Sequence, residues 1–194
     1  MNLITYIQHD DNNINPVSLE ALQAAQEIAN KSGGSIKAVT FNPNINDLLA
    51  KYNLDEIISF NNDSLMNYNP LFFLKAMEEV LKNESHDGLI FGHTYETRDW
   101  APRLSARLNI PFISDCIDYK LKNKLILTRS VYQGKLNTDI SINNDKFILS
   151  FQSGSFKADL LKEGTASIKN LDIDFSDIKK TINPGDKFQE SETS

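Results

Sequence analysis

Short apolar runs alternate with helix-spaced segments from the first residues of this chain to Pro111, and that alternation leaves few folds open to it. Leu3 to Ile7, Ser35 to Phe41, Glu56 to Phe60 and Gly88 to Gly92 each read as a strand. The last, GLIFG, contains no polar residue, as expected of a central parallel strand buried on both faces. Between these runs the apolar residues recur at helical spacing. Leu19, Leu22, Ala25, Ile28 and Ala29 fall on one stripe within Ser18 to Lys31, and Phe73, Leu74, Met77, Val80 and Leu81 do the same after Asn69-Pro70. Asn15-Pro16 and Asn69-Pro70 are start signals, because Asn caps a helix and Pro lacks only an N–H that would have no partner there. Gly33-Gly34 ends the first helix. Ile45 to Tyr52, capped by Asn44, reads as a short helix. A further helix is expected from about Asp99 to Leu108, with Pro102 in its first turn.

Strand–helix alternation predicts a parallel sheet with right-handed crossovers. After Pro111 the pattern changes. Leu125 to Tyr132, Leu136 to Ile142 and Phe147 to Phe151 are strand-like, and the turns between them carry Gln133-Gly134 and Asn143-Asn144-Asp145. Such turns predict antiparallel or hairpin-linked strands. The fold class is therefore α/β: a three-layer, Rossmann-like domain with a mostly parallel sheet and a β-rich later half. The domain is expected over 1–165, followed by a polar linker or tail over 166–194, since the chain loses apolar periodicity and ends GDKFQESETS.

Charge and cysteine content narrow the function classes. The formal net charge is −6 and no Lys/Arg run supplies a basic face, so nucleic acid is not the expected partner. The one cysteine, Cys116, makes neither an internal disulfide nor a zinc site, and it reads as a small buried hydrophobe. The N-terminus has no secretory signal and no stretch is long and apolar enough for membrane insertion, so a cytoplasmic protein is expected.

Residues that could carry chemistry are few. No phosphate loop follows the first strand. Its place is taken by Gln8 to Asn13, QHDDNN, which lacks glycine and carries two aspartates. His9, Asp10 and Asp11 read as a solvated loop rather than a metal site. His86 reads as a surface or strand-end residue. His93 follows GLIFG at the carboxyl edge, where open α/β sheets bind ligands, but no nucleophile motif accompanies it. Trp100 reads as core. Glu96, Arg98, Asp99 and Arg103 cluster at a helix start, either as a local ion-pair network or as a contact with another domain or subunit.

Four segments in order resemble the alpha subunit of electron-transfer flavoproteins. ITYIQHDDNNINPVSLEALQAA is similar to that family's first strand, acidic loop and N-P helix start. HTYETRDWAPRLSARLNIPFISDCIDY is similar to its T-x-x-x-R-D-x-x-P-R-L helix and Ser-Asp pair, here Ser114 and Asp115. LTRSVYQGKLNTDISI is similar to its R-x-x-Y-x-G strand pair, here Arg129, Tyr132 and Gly134. ILSFQSGSFKAD is similar to its strand and [TS]-F-x-A turn, here Ser155, Phe156 and Ala158. Gln152 departs from the family's usual Arg, and Gln133 and Lys135 depart from its small and polar residues around Gly134. The resemblance covers roughly residues 1 to 160.

The resemblance implies an adenine-nucleotide alpha-hydrolase-like fold and an electron carrier subunit rather than an enzyme, with no catalytic, cofactor-binding or metal residue on this chain. It implies a heterodimer with a beta subunit that holds AMP. FAD would lie in a second alpha domain, whose S-G-G-R-G-type loop has no counterpart here, so a truncated form or gene fragment is expected. Electrons would come from flavoprotein dehydrogenases, such as the acyl-CoA dehydrogenases of fatty acid beta-oxidation, and leave through a quinone oxidoreductase. Arg98, Asp99 and Arg103 are then candidate interface residues, with Arg129 and Tyr132 as a second pair. Two other readings stand beside this one: a nucleotide-binding α/β module like the universal stress proteins, and a stand-alone adaptor domain.

Overall fold

The computed structural model describes residues 1–183 and 185. In chain order the elements are β1 (Leu3–Ile7), β2 (His9–Asp10), β3 (Asn13–Ile14), α1 (Pro16–Ser32), β4 (Ile36–Thr40), α2 (Asn46–Leu49), β5 (Glu56–Phe60), α3 (Pro70–Asn83), β6 (Gly88–Gly92), α4 (Tyr95–Leu108), β7 (Phe112–Leu121), β8 (Leu125–Val131), β9 (Leu136–Ser141), β10 (Phe147–Phe151) and β11 (Ser167–Leu171). All but β2 and β3 join one nine-stranded sheet in the order β11-β5-β4-β1-β6-β10-β7-β8-β9. From β11 to β7 every pairing is parallel; β8 is antiparallel to β7, and β9 to β8. This is the expected α/β class with a mostly parallel sheet.

The sheet is covered on both faces. Leu3, Ile7, Ala38, Ile57, Ile90 and Leu149 pack on one side against Ala21, Leu22, Ala25 and Ile28 of α1. Ile4, Tyr6, Val39, Phe41, Leu89 and Phe91 pack on the other against Met77 and Val80 of α3 and Trp100 and Leu104 of α4. Alternate residues of one strand thus feed opposite cores, as the pleat requires, and this is why β1 and β6 are buried throughout. The α1 ends follow the sequence signals: Asn15 Oδ1 accepts the Val17 N–H at 3.0 Å, and Gly33 closes the helix at φ 65°.

Several elements differ from expectation. α4 starts at Tyr95 rather than Asp99, because Thr94 and Thr97 form a reciprocal capping box. Pro102 consequently sits in the helix interior, where it leaves the Arg98 carbonyl without its helical N–H. The short helix is capped by Asn42, whose side chain accepts the Asn44 N–H, and it runs as a 3-10 turn into α2. β10 is not hairpin-paired. Its five buried residues occupy the slot between β6 and β7, parallel to both, the one place that covers FILSF on two faces. β7 was not anticipated, since its alternation breaks at a register shift between Cys116 and Asp118.

The largest difference is at the expected linker. β11 pairs in parallel with β5 as the sheet's edge. The chain then doubles back over α3: the Phe175 ring lies 4.7 Å from that of Phe72, and Asn62 and Asn69 donate side-chain hydrogen bonds to the carbonyls of Ile173 and Ile182. An edge strand needs backbone pairing more than apolar side chains, so SIKNL carries no hydropathy signal. The remainder of the expected tail, Pro184 and residues 186–194, lies outside the described residues.

Candidate interface at the carboxyl edge of the sheet

Strand order reverses between β1 and β6, and the crevice outside their carboxyl ends is where an open α/β sheet would take a nucleotide. Here that crevice is filled from within. Gln8, just after β1, accepts a hydrogen bond from Thr94 Oγ1, just after β6, at 2.6 Å. A Cβ on Gly92 would lie 2.7 Å from Val17 Cγ1 and 2.9 Å from the Val17 carbonyl oxygen, so α1 rests directly on the strand end. Both helix N-termini at the crevice cap themselves. Asn15 takes the Val17 N–H by its side chain and the Ser18 N–H by its carbonyl, and Thr94 takes those of Thr97 and Arg98 in the same two ways. The loop between β1 and α1 folds into the β2–β3 ribbon, with Asp10 beside Asn15. Four helix N–H groups already in use and a carboxylate at the entrance make this a poor cradle for a phosphate.

One strand further along the same edge lies a polar cluster. His93 Nδ1 is 2.8 Å from Ser150 Oγ, and that hydroxyl accepts the Asp115 N–H at 3.0 Å. The hydroxyl has one proton. Giving it to Nδ1 assigns the remaining ring proton to Nε2, which faces Asp115 Oδ1 at 3.8 Å. Asp115 holds φ 61°, in the left-handed region. Burial lowers the His93 pKa from its usual value; Asp115 pulls it up, and Arg98 and Arg129 push it down. The imidazole is therefore neutral near pH 7. Cys116, directly after Asp115, is fully buried and its thiol is pushed up to about 12 by burial, so it is not a reactive nucleophile.

The structure divides the two groups of sequence candidates in a new way. Arg98 is exposed, stands 5.4 Å from the Tyr95 ring, and acts on His93. Arg129, on β8 opposite Cys116, also acts on His93. Tyr132 follows at a turn where Tyr132, Gln133 and Gly134 all take positive φ, and it is 76% exposed. Arg98, Arg129 and Tyr132 thus belong to one edge. Asp99 and Arg103 do not join them: Arg103 pairs with Asp99 at 2.8 Å one turn along the helix, and Asp99 accepts the Tyr68 hydroxyl at 2.6 Å. Glu96, in the same sequence cluster, instead accepts the Tyr6 hydroxyl at 2.7 Å. A cleft of about 630 Å³ opens beside Arg129, lined also by Asp115, Tyr132 and Gln152. Sequence reasoning missed Tyr95, which is 89% exposed at the start of α4, because it placed that start four residues later. His86 lies at the expected strand end, two residues before β6, but is buried there rather than at the surface, with Nδ1 2.9 Å from the Glu84 carbonyl oxygen. Among the described residues no group of three or more His, Cys, Asp or Glu could hold a metal ion, and no helix is long and apolar enough to cross a membrane.

A family model for the electron transfer flavoprotein domain matches residues 3–176, which takes in every strand of the sheet. The chain belongs to the electron transfer flavoprotein family. It is 26% identical over 179 residues to electron transfer flavoprotein subunit alpha of Bacillus subtilis, a match covering 89% of this chain and 54% of that protein. It is 29% identical over 175 residues to the alpha subunit of Thermoanaerobacterium thermosaccharolyticum, covering 86% and 53% respectively. Protein FixB of Clostridium saccharobutylicum is 31% identical over 142 residues, covering 70% and 42%. The chain therefore spans about half the length of the curated relatives it matches. The family match reaches Ser176 and so includes β11 and Phe175, in agreement with their packing on the domain.

Proposed function

We propose that this chain is the N-terminal scaffold domain of an electron-transfer flavoprotein alpha subunit. It holds a beta-type subunit and a flavin-bearing domain in register and does no chemistry itself. Residues 1–183 form the domain in this reading, and the chain beyond them leads toward the flavin-bearing part. FAD would be carried by that second domain and AMP by the beta subunit. The assembled alpha/beta complex would take electrons from flavoprotein dehydrogenases, such as acyl-CoA dehydrogenases, and pass them to a quinone oxidoreductase.

The observation that carries the scaffold reading is the self-filled crevice at the switch point. Gln8–Thr94 and Gly92–Val17 close in on the place where a nucleotide would enter, and Asn15 and Thr94 have taken the Val17, Ser18, Thr97 and Arg98 N–H groups there. The surface that stays open at this edge is built of Tyr and Arg, residue types enriched at the energetic centres of interfaces.

The test is to purify the chain alone, record its visible absorbance, and then mix it with a beta-type subunit. A folded, colourless protein that captures the subunit supports the reading. A yellow protein with stoichiometric flavin overturns it, as does a folded chain that captures no such subunit.

A further inference from the structure

The sequence holds four arginines: Arg98, Arg103, Arg107 and Arg129. Two are neutralised within the domain. Arg103 pairs with Asp99 and Arg107 with Glu78, both at 2.8 Å. The other two, Arg98 and Arg129, form no ion pair with a carboxylate among the described residues, and these are the two that flank His93. The Arg129 Nε is fully buried and has no hydrogen-bond acceptor. A buried guanidinium N–H without an acceptor is destabilising. Arg129 also lines the cleft of about 630 Å³ that Asp115, Tyr132 and Gln152 border.

From this we infer that the cleft beside Arg129 is an acceptor site for an acidic side chain on a partner polypeptide, with Arg98 as a second cation on the same sheet edge. The inference rests on the partner-holding role proposed above and names the chemistry of what is held. Around His93 two guanidiniums are set against the one carboxylate of Asp115, on a chain whose net charge is −6. A carboxylate is thus drawn to this patch. Its two oxygens match the fork of a guanidinium, which an ammonium or a neutral donor does not reproduce. Tyr132, 76% exposed at the mouth, offers an apolar ring beside the charge. A partner segment that pairs an acidic residue with an apolar neighbour fits both. A free phosphate fits less well, because Asp115 would repel its second charge.

The test reads the four arginine side chains directly. The Nε–H signals of the full chain, labelled with ¹⁵N, are followed by NMR while a capped glutamate- and leucine-containing peptide is added. Parallel titrations use its glutamine counterpart and inorganic phosphate. The glutamate peptide should move the Arg129 and Arg98 signals and leave those of Arg103 and Arg107 in place. The glutamine peptide should move none. Arg129→Gln should weaken peptide binding at least fivefold, Arg98→Gln by less, and Arg129→Lys should recover only part of the loss. Equal movement of all four signals would mean nonspecific attraction and would overturn the inference. So would a phosphate response matching the peptide's at equal concentration, or an Arg129→Gln protein that binds as the wild type does. Capture of a beta-type subunit is a separate measurement. A chain that binds the glutamate peptide but no such subunit would lose the assigned partner and keep the carboxylate site.

Discussion

Thr94 and Gln8 meet across the sheet's switch point through a 2.6 Å hydrogen bond between side chains 86 residues apart. Thr94 is the N-cap of α4 at the same time, accepting the Thr97 N–H. One hydroxyl thus starts a helix and closes the crevice where a nucleotide would otherwise bind.

Thr94→Ala should therefore act on stability and leave ligand binding as it is. Loss of a Thr cap costs about 1–2 kcal/mol, and Gln8 Oε1 loses its donor in the same step. The urea midpoint should fall by the equivalent amount. AMP or ATP should leave the melting temperature of both proteins unchanged, since α1 still rests on Gly92 and Asn15 still occupies the first donors of α1. A rise in melting temperature with AMP would revive the nucleotide-binding reading.

Gly92→Ala should destabilise by about 1–3 kcal/mol. The added methyl would meet Val17 Cγ1 at 2.7 Å and the Val17 carbonyl oxygen at 2.9 Å. Val17→Ala removes the first clash and leaves the second, so the double variant should recover only part of the loss. Full recovery in chemical denaturation would mean that the close approach is side chain to side chain, and that α1 is not pinned by its backbone.

The parts of this fold legible in the sequence were those where one physical signal dominates. GLIFG is apolar because it is buried on both faces, and Asn15-Pro16 and Gly33 bound α1 because the backbone demands them. β7 and β11 were not legible. In β7 the alternation of FISDCIDYKL is broken by a register shift and by Asp115 at positive φ. In β11 the stabilising contacts are backbone pairing with β5 and a lysine to Glu84, neither of which leaves an apolar pattern. Of the interface candidates, Arg98, Arg129 and Tyr132 come together, although their spacing along the chain gives no sign of it. Asp99, adjacent to Arg98 in sequence, instead pairs with Arg103 four residues on, because positions one helical turn apart face each other.

Glu84 should couple β11 to the domain in a pH-dependent way. Its carboxylate accepts Lys169 of β11 at 2.6 Å and Lys37 of β4 at 2.7 Å. Burial alone would raise its pKa from the ordinary 4.5, but the two lysine hydrogen bonds outweigh burial and lower it. A depressed carboxylate contributes stability that is in place above about 4.5 and lost as the pH falls through the folded-state value. Glu84→Gln should cost about 1–2 kcal/mol near neutral pH, between the worth of an exposed pair and a buried one. That difference from the wild type should shrink as the pH falls below the folded-state value. A loss that persists unchanged at low pH would assign the effect to packing.

Truncation after Ala166 should show that β11 and the segment after it belong to the domain. It removes one of the two parallel partners of β5, the Phe175 ring on Phe72, and the hydrogen bonds that Asn62 and Asn69 donate to carbonyls of Ile173 and Ile182. Losing the burial of several half-buried apolar side chains should cost about 3 kcal/mol or more. Amide exchange in β5 should rise at the same time. An unchanged melting temperature would return these residues to the role of a linker.

His93 should report the two unpaired arginines. Burial lowers its pKa from the ordinary 6.5, Asp115 opposes the shift, and Arg98 and Arg129 add to it. The ring-proton NMR midpoint of His93 should accordingly lie below 6.5. Arg98→Gln and Arg129→Gln should each raise it, Asp115→Asn should lower it further, and Arg103→Gln should leave it in place. The stability consequence has a definite sign. Above 6.5 the ring is neutral in both states and stability is full. As the pH falls from 6.5 toward the folded-state value, the unfolded chain takes up a proton that the folded one refuses, and stability declines. His86, also lowered by burial, adds a parallel decline, so His93→Asn should reduce the slope without abolishing it. If Arg129→Gln left the His93 midpoint unmoved, Arg129 would lie too far from the imidazole for the two to share one edge, and the grouping of Arg98, Arg129 and Tyr132 would have to be abandoned.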